Sequence, residues 1–219
     1  MLAAWTRQFL ELALEYQALR FGRYTLKSGR ISPYFFNAGA FCDGRSLHLL
    51  AGCYADAIAD SGMEFDLVFG PAYKGIPLAA AVTERLYHGH GINAGFAYNR
   101  KEAKDHGEGG LVVGAALRGR VLLVDDVISA GTAITESLSL IRASGAQPVA
   151  VAVALDRQER GSDDRSAVQA LRDDGLDVIS LAGLDDLVGW LKERGSDDAS
   201  LENMIQYRHQ FGVSKTCIA

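Results

Sequence analysis

Apolar residues recur every three or four positions at Leu2, Trp5, Phe9, Leu12, Tyr16 and Leu19, which predicts an amphipathic first helix. From Phe21 to Phe41 that period disappears, and glycines and aromatics mixed with polar residues predict short strands. Leu47, Leu50, Tyr54 and Ile58 restore the helical spacing until Gly62 stops it. The chain then alternates. A strand at Phe65–Phe69, a helix at Ile76–Tyr87 and a strand at Asn93–Tyr98 lead into a charged loop. Four apolar residues from Val121 to Val124 read as a buried strand, and Ile134, Leu138 and Ile141 as the helix after it. Val149–Leu155 is a strongly apolar strand, Ala167–Asp173 a weaker helix, and Val178–Leu181 a further strand. Helical stretches around Leu187–Leu191 and Leu201–Tyr207 complete the pattern. Alternating strands and helices predict an α/β fold whose mostly parallel sheet is flanked by helices. Ligands of such sheets sit beyond the strand C-termini. No repeat, low-complexity tract or linker divides the 219 residues, so a single domain is expected.

The formal charge of −5 provides no general basic face, which argues against nonspecific nucleic-acid binding. Cys42, Cys53 and Cys217 form an odd set without metal-ligand spacing and suggest reduced thiols in a cytoplasm. No apolar run approaches the ~18 residues of a membrane span. Arg7 and Glu11 interrupt the first apolar pattern and argue against a signal peptide.

The candidate chemistry concentrates after Val124. Asp125 and Asp126 close the apolar run where a carboxylate pair has no place in a core. The small residues Ser129, Ala130, Gly131 and Thr132 then open a helix. Backbone N–H groups at a helix start form a phosphate site, and neighbouring carboxylates accept hydrogen bonds from vicinal hydroxyls. A phosphorylated sugar satisfies both halves. Taken alone, the stretch also fits an ordinary strand-to-helix turn with a solvated acid pair.

Phe69-Gly70-Pro71-Ala72-Tyr73-Lys74-Gly75-Ile76-Pro77 follows the preceding strand. Its glycine spacing is close to a nucleotide-binding P-loop, but Ile76 and Pro77 stand where Lys and Ser/Thr are required. Two glycines and two prolines instead mark a constrained turn carrying one cation, Lys74. From Arg100 to Gly110, three bases (Arg100, Lys101, Lys104) balance three acids (Glu102, Asp105, Glu108) if His106 is neutral. Anion binding there requires individually aimed cations, and Gly107, Gly109 and Gly110 would let the segment fold over a ligand. A solvated loop is the plainer reading of this segment by itself. His88 and His90 lack an evident third metal partner, and Gly89–Gly95 is a poor match to a dinucleotide loop because it follows a helix.

The segment from Val121 to Ala133 resembles the 5-phosphoribosyl-1-pyrophosphate (PRPP) signature of the type I phosphoribosyltransferases. Three further runs resemble the orotate-specific branch of that family: Tyr24–Arg30 with Ser32–Asn37, Arg100–Gly110, and Leu155–Gly161. With the Gly70–Gly75 turn, five motifs lie in family order over residues 20–161. The resemblance implies a type I phosphoribosyltransferase fold in which roughly residues 1–40 form a small N-terminal hood over the base site. It implies transfer of phosphoribose from PRPP to N1 of orotate, with pyrophosphate released. A purine-specific transferase and a PRPP-sensing regulator remain as rivals. Arg157 and the Lys27–Asn37 stretch disfavour the first, and the scarcity of bases among the first twenty residues disfavours the second.

Carried over by resemblance, Asp125 and Asp126 bind ribose, and Val127, Ile128, Ser129, Ala130, Gly131, Thr132 and Ala133 surround the 5-phosphate. Lys27, Tyr73, Lys74, Arg100, Lys101, Lys104 and His106 complete the PRPP site, with Lys101, Lys104, His106 and Asp125 as catalytic groups. Phe35, Phe36, Ser129 and Arg157 receive orotate, Arg157 as a bidentate clamp on its carboxylate. By themselves, the two phenylalanines also suit core packing, and Arg157 an ion pair with Asp156 or Glu159. The resemblance further implies a cis peptide at Ala72–Tyr73, Mg²⁺ held mainly by substrate and water, and a homodimer with shared sites.

Overall fold

The computed structural model describes residues 1–26, 28–104, 110–128, 132–161, 164–195 and 198–213, with only the backbone of residues 103, 104, 132 and 198. Among the described residues, six strands form the main sheet in the order β5-β4-β3-β6-β7-β8. These are β3 (Leu67–Gly70), β4 (Gly95–Lys104), β5 (Gly110–Gly114), β6 (Arg120–Val127), β7 (Gln147–Asp156) and β8 (Asp177–Gly183). All neighbouring pairs are parallel except β4 with β5, which is antiparallel.

The near-continuous apolar runs of β6 and β7 follow from burial on both faces. Leu122 and Val124 join Ala150, Ala152 and Ala154 in one core cluster, whereas Val121 and Leu123 join Val151 and Val153 in another. The first cluster is covered by α1 (Ala4–Glu15), α2 (Gly44–Asp60), α3 (Gly75–His90), α6 (Leu184–Arg194) and α7 (Asp198–Phe211). The second is covered by α4 (Thr132–Ala143) through Ile134, Leu138 and Ile141, while Leu171 of α5 (Ala167–Asp173) packs at its edge. Asp43 starts α2 by accepting from the Ser46 backbone N–H at 2.7 Å, a reciprocal cap.

The N-terminal strands are a separate antiparallel pair, β1 (Leu19–Thr25) and β2 (Ile31–Phe36). Leu19, expected at the end of the first helix, instead begins β1; the helix stops at Glu15, and Gln17 takes a positive φ of 54° to turn the chain. Two further boundaries differ from expectation. The strand read as ending at Tyr98 continues to Lys104 and returns as β5, with Asn99 opposite Val112 and Lys104 opposite Gly110. An edge hairpin has little to bury, so it carries no apolar period. Asp125 and Asp126, expected just past a strand, lie inside β6, and each is only 8% exposed.

The β3–α3 connection is built from contacts that only glycine allows. A Cβ on Gly70 would lie 2.3 Å from the Gly75 carbonyl oxygen, and one on Gly75 would lie 2.7 Å from Cδ of Pro71. Gly70→Ala must therefore open this turn, and a loss of about 1–3 kcal/mol in urea unfolding is expected. A variant that unfolds at the parent's denaturant midpoint would contradict this packing.

Candidate active site

The C-terminal end of β6 presents two carboxylates in different settings. The Asp125 carboxylate accepts from the Asp126 backbone N–H at 2.9 Å, and that of Asp126 accepts from the Val127 N–H at 2.9 Å. Tyr54, buried in α2, donates its hydroxyl to the Asp125 backbone carbonyl at 2.8 Å and so ties the strand end to the helix layer. Burial pushes the Asp125 carboxyl up to about 6, with the Asp126 charge adding to the effect; the Asp126 N–H and the Lys74 cation oppose it.

Lys74 arrives from the β3–α3 turn. Its ammonium lies 2.9 Å from Asp126, while its side chain remains 62% exposed. The Ala72–Tyr73 peptide is cis, as the resemblance implied. Asn99 of β4 holds the same turn by accepting from the Ala72 N–H at 3.0 Å. Tyr73 is 67% exposed, and the Lys101 ammonium sits 4.8 Å from its ring centroid. A small cavity of about 140 Å³ adjoins this corner, lined in part by Gly39, Phe41, Leu50, Lys74, Pro77 and Asp126. Strand ends and turn thus gather Asp125, Asp126 and Lys74 in one place, with Lys101 of β4 set over Tyr73 of the turn.

The proposed base residues lie on β2 and just past β7. Phe35 and Phe36, adjacent in β2, point to opposite faces. Phe36 packs edge-on against Phe9 with centroids 5.9 Å apart, and Phe35 stacks on Tyr24 at 5.4 Å. Arg157 follows β7 and lies with its guanidinium carbon 4.6 Å from the Tyr34 ring centroid. Its Nε donates to Glu159 at 2.8 Å, realising one of the ion pairs the sequence left open.

The remaining predicted residues distribute as follows. Arg100 is half-buried in β4, Val127 is half-buried at the end of β6, and Ala133 is exposed in the first turn of α4. Ile128 packs against the core on the α4 side. Lys27, His106, Ser129, Ala130 and Gly131 lie outside the described residues, as do the side chains of Lys104 and Thr132. Sequence reasoning missed Tyr54, whose helical spacing marked it only as core, and Asn99, whose position beside Arg100 was the available signal. Tyr207 was read only as part of an apolar C-terminal helix.

Among the described residues, no group of three or more His, Cys, Asp or Glu is arranged to hold a metal ion. His90 instead pairs with Asp56 at 2.9 Å. The Asp125–Asp126 pair fits a hard cation that takes most of its oxygen ligands from substrate and water. Among the same residues, no helix is long and apolar enough to cross a membrane.

Comparison with known proteins places this geometry in a family. The phosphoribosyl transferase domain model matches residues 44–180. An orotate phosphoribosyltransferase from Thioalkalivibrio sulfidiphilus is 58% identical over 207 residues, covering 94% of this chain and 97% of that protein. The chain belongs to the orotate phosphoribosyltransferases. The crystal structure of a Francisella tularensis member superposes with a TM-score of 0.84 at 41% identity, covering 93% of this chain and 98% of that one. A Mycobacterium tuberculosis member solved in complex with PRPP gives a TM-score of 0.60 at 26% identity, covering 82% and 98%. The family's type I fold, with its mostly parallel sheet and small N-terminal antiparallel pair, is the architecture of this chain.

The raised Asp125 value has a consequence for stability. Its ordinary value is 3.8, so between about pH 4 and pH 6 the native protein holds a proton that the unfolded chain has released. Stability from this group therefore falls as pH rises through that window, and the cost is complete above it. Asp125→Asn should stabilise the protein at pH 7 by up to about 2 kcal/mol, with the gain shrinking as pH drops from 6 to 4. Thermal melts across this range check the prediction; a destabilised variant at pH 7, or a gain undiminished at pH 4, would contradict it.

Proposed function

We infer that this chain transfers the 5-phosphoribosyl group from PRPP to N1 of orotate, releasing pyrophosphate and forming orotidine 5'-monophosphate for pyrimidine nucleotide synthesis. One observation carries the reading: two buried carboxylates beside an exposed lysine end the central strand of a chain 58% identical to an orotate phosphoribosyltransferase.

Breaking the C1–pyrophosphate bond builds positive charge on the ribose ring and negative charge on the leaving group. Asp125 and Asp126 accept the ribose hydroxyls and place negative charge beside the developing cation. Their backbone hydrogen bonds hold them in place before substrate arrives. Asp125, ionised above about pH 6, serves in its anionic form at neutral pH. Lys74, which pairs with Asp126, turns to pyrophosphate when PRPP binds. Lys27, Tyr73, Arg100, Lys101, Lys104 and His106 complete that end of the site, and Lys101 and Lys104 neutralise the departing group. Residues Val127 to Ala133 surround the 5-phosphate, which the N-terminus of the twelve-residue helix α4 receives. Arg157 holds the orotate carboxylate, with Phe35, Phe36 and Ser129 around the ring. Asp125 and Asp126 would stand beside a Mg²⁺ held mainly by substrate and water, and such an ion would offset the charge of the pyrophosphate. The exposed Cys42 and the buried Cys53, whose thiol burial pushes up to about 12, suit a reducing cytoplasm.

Loss of orotate absorbance on adding PRPP and magnesium tests the reaction. Turnover of hypoxanthine or adenine with no change in orotate would overturn the choice of base.

The active form is a homodimer in which the Arg100–Gly110 segment serves the neighbouring site. Asp125→Asn and Lys101→Ala proteins, each inactive alone, should regain activity at one site per heterodimer when mixed. Lys101 lies over Tyr73 of its own chain, so the alternative is concrete. A segment serving its own subunit would leave verified heterodimers inactive.

A further inference from the structure

The guanidinium of Arg157 is enclosed by nearby Glu159 and by residues from two distant parts of the chain. The Nε atom donates to Glu159 Oε1 at 2.8 Å, and Nη2 lies 3.4 Å from Ser32 Oγ and 3.5 Å from the Tyr207 hydroxyl. Tyr207, on α7, donates its own hydroxyl to the same Glu159 oxygen at 2.7 Å. The other Glu159 oxygen faces Arg30 of the N-terminal hairpin at 3.6 Å. Glu159 is itself held by its backbone. It pairs antiparallel with Gly212, and flanking bonds run from the Arg160 N–H to the Phe211 carbonyl at 2.8 Å and from the Val213 N–H to the Gln158 carbonyl at 2.9 Å.

Two consequences follow from this arrangement. An arginine side chain free to explore its rotamers loses affinity when a ligand must order it; this one is ordered in advance. Among the described residues, every hydrogen bond of the guanidinium uses Nε or Nη2. The edge toward Glu159 is thus occupied, and Nη1 remains for an incoming oxygen. Charge agrees with that division. Arg30 and Arg157 share one carboxylate, Glu159, so the cluster retains one positive charge where a second carboxylate from a ligand would be neutralised.

We propose that Glu159 and Tyr207 are positioning residues for orotate. They fix the Arg157 guanidinium by one edge, so that the C-terminal helix α7 sets the affinity for the carboxylated base. The proposal rests on the assignment of Arg157 to the orotate carboxylate and extends it to two residues that need not touch substrate. Burial, and then the bond to Glu159, push the Tyr207 phenol up to about 12, so it remains a protonated donor at every working pH.

Tyr207→Phe removes one hydroxyl, and Glu159→Asp shortens the reach of the carboxylate while keeping its charge. Each should raise the KM for orotate by about three- to tenfold while leaving the KM for PRPP within about twofold, the effect expected for loosening one charge-assisted hydrogen bond. Arg157→Ala should raise the KM for orotate further. Tyr207→Phe added to Arg157→Ala should cost little more, because the phenol then has no guanidinium to orient. An equal rise in both KM values, or the same loss from Tyr207→Phe with and without Arg157, would overturn the proposal. If Arg157→Ala raises the KM for orotate and the two milder variants do not, positioning fails while the base assignment stands. If Arg157→Ala itself leaves that KM unchanged, both fail. Far-ultraviolet circular dichroism and melting temperature establish that each variant is folded.

Discussion

Placing two adjacent carboxylates at the buried end of a central strand is the constraint around which this molecule is organised. Among the described residues, Asp125 pairs with no cation and Asp126 pairs with the largely exposed Lys74, and burial pushes the Asp125 carboxyl up to about 6. The fold meets the cost locally. Backbone N–H groups of the following residues satisfy one oxygen of each acid, Tyr54 anchors the strand, and Lys74 reaches Asp126 from the neighbouring turn. An unpaired charge removed from water is expensive, so such a pair persists where function requires it. On the proposed reading, the requirement is an anionic surface for a ribose ring that becomes cationic as its bond to pyrophosphate breaks.

Supporting elements follow from that requirement. The β3–α3 turn must bring Lys74 close to β6, and Gly70 and Gly75 permit backbone contacts that a Cβ would forbid. Asn99 fastens the same turn to β4, whose extension carries Arg100 and Lys101 to the site's edge. Cations and anions thus come from adjacent parallel strands, at the carboxyl ends where such sheets bind ligands.

Much of this was legible in the chain. Runs such as Val121–Val124 and Val149–Leu155 mark strands buried on both faces, and the acids and glycines that follow them mark the site. The β4–β5 hairpin was not legible, because an edge exposed to water needs no apolar alternation and its charges read as loop. Leu19 kept the helical spacing of α1 although the chain had already turned into β1. The environment of Arg157 was hidden for another reason. Tyr207 lies fifty residues away, and Glu159 appeared only as one of two nearby acids. Contacts that close over such distances are set by packing, in this case α7 against β2, and leave no local signature.

A crystal structure of this chain with PRPP and magnesium tests the central assignment most directly. The expected result is ribose hydroxyls within hydrogen-bonding distance of the Asp125 and Asp126 carboxylates, and Lys74 released from Asp126. Density for PRPP elsewhere, with the end of β6 empty and the Lys74–Asp126 pair intact, would contradict it.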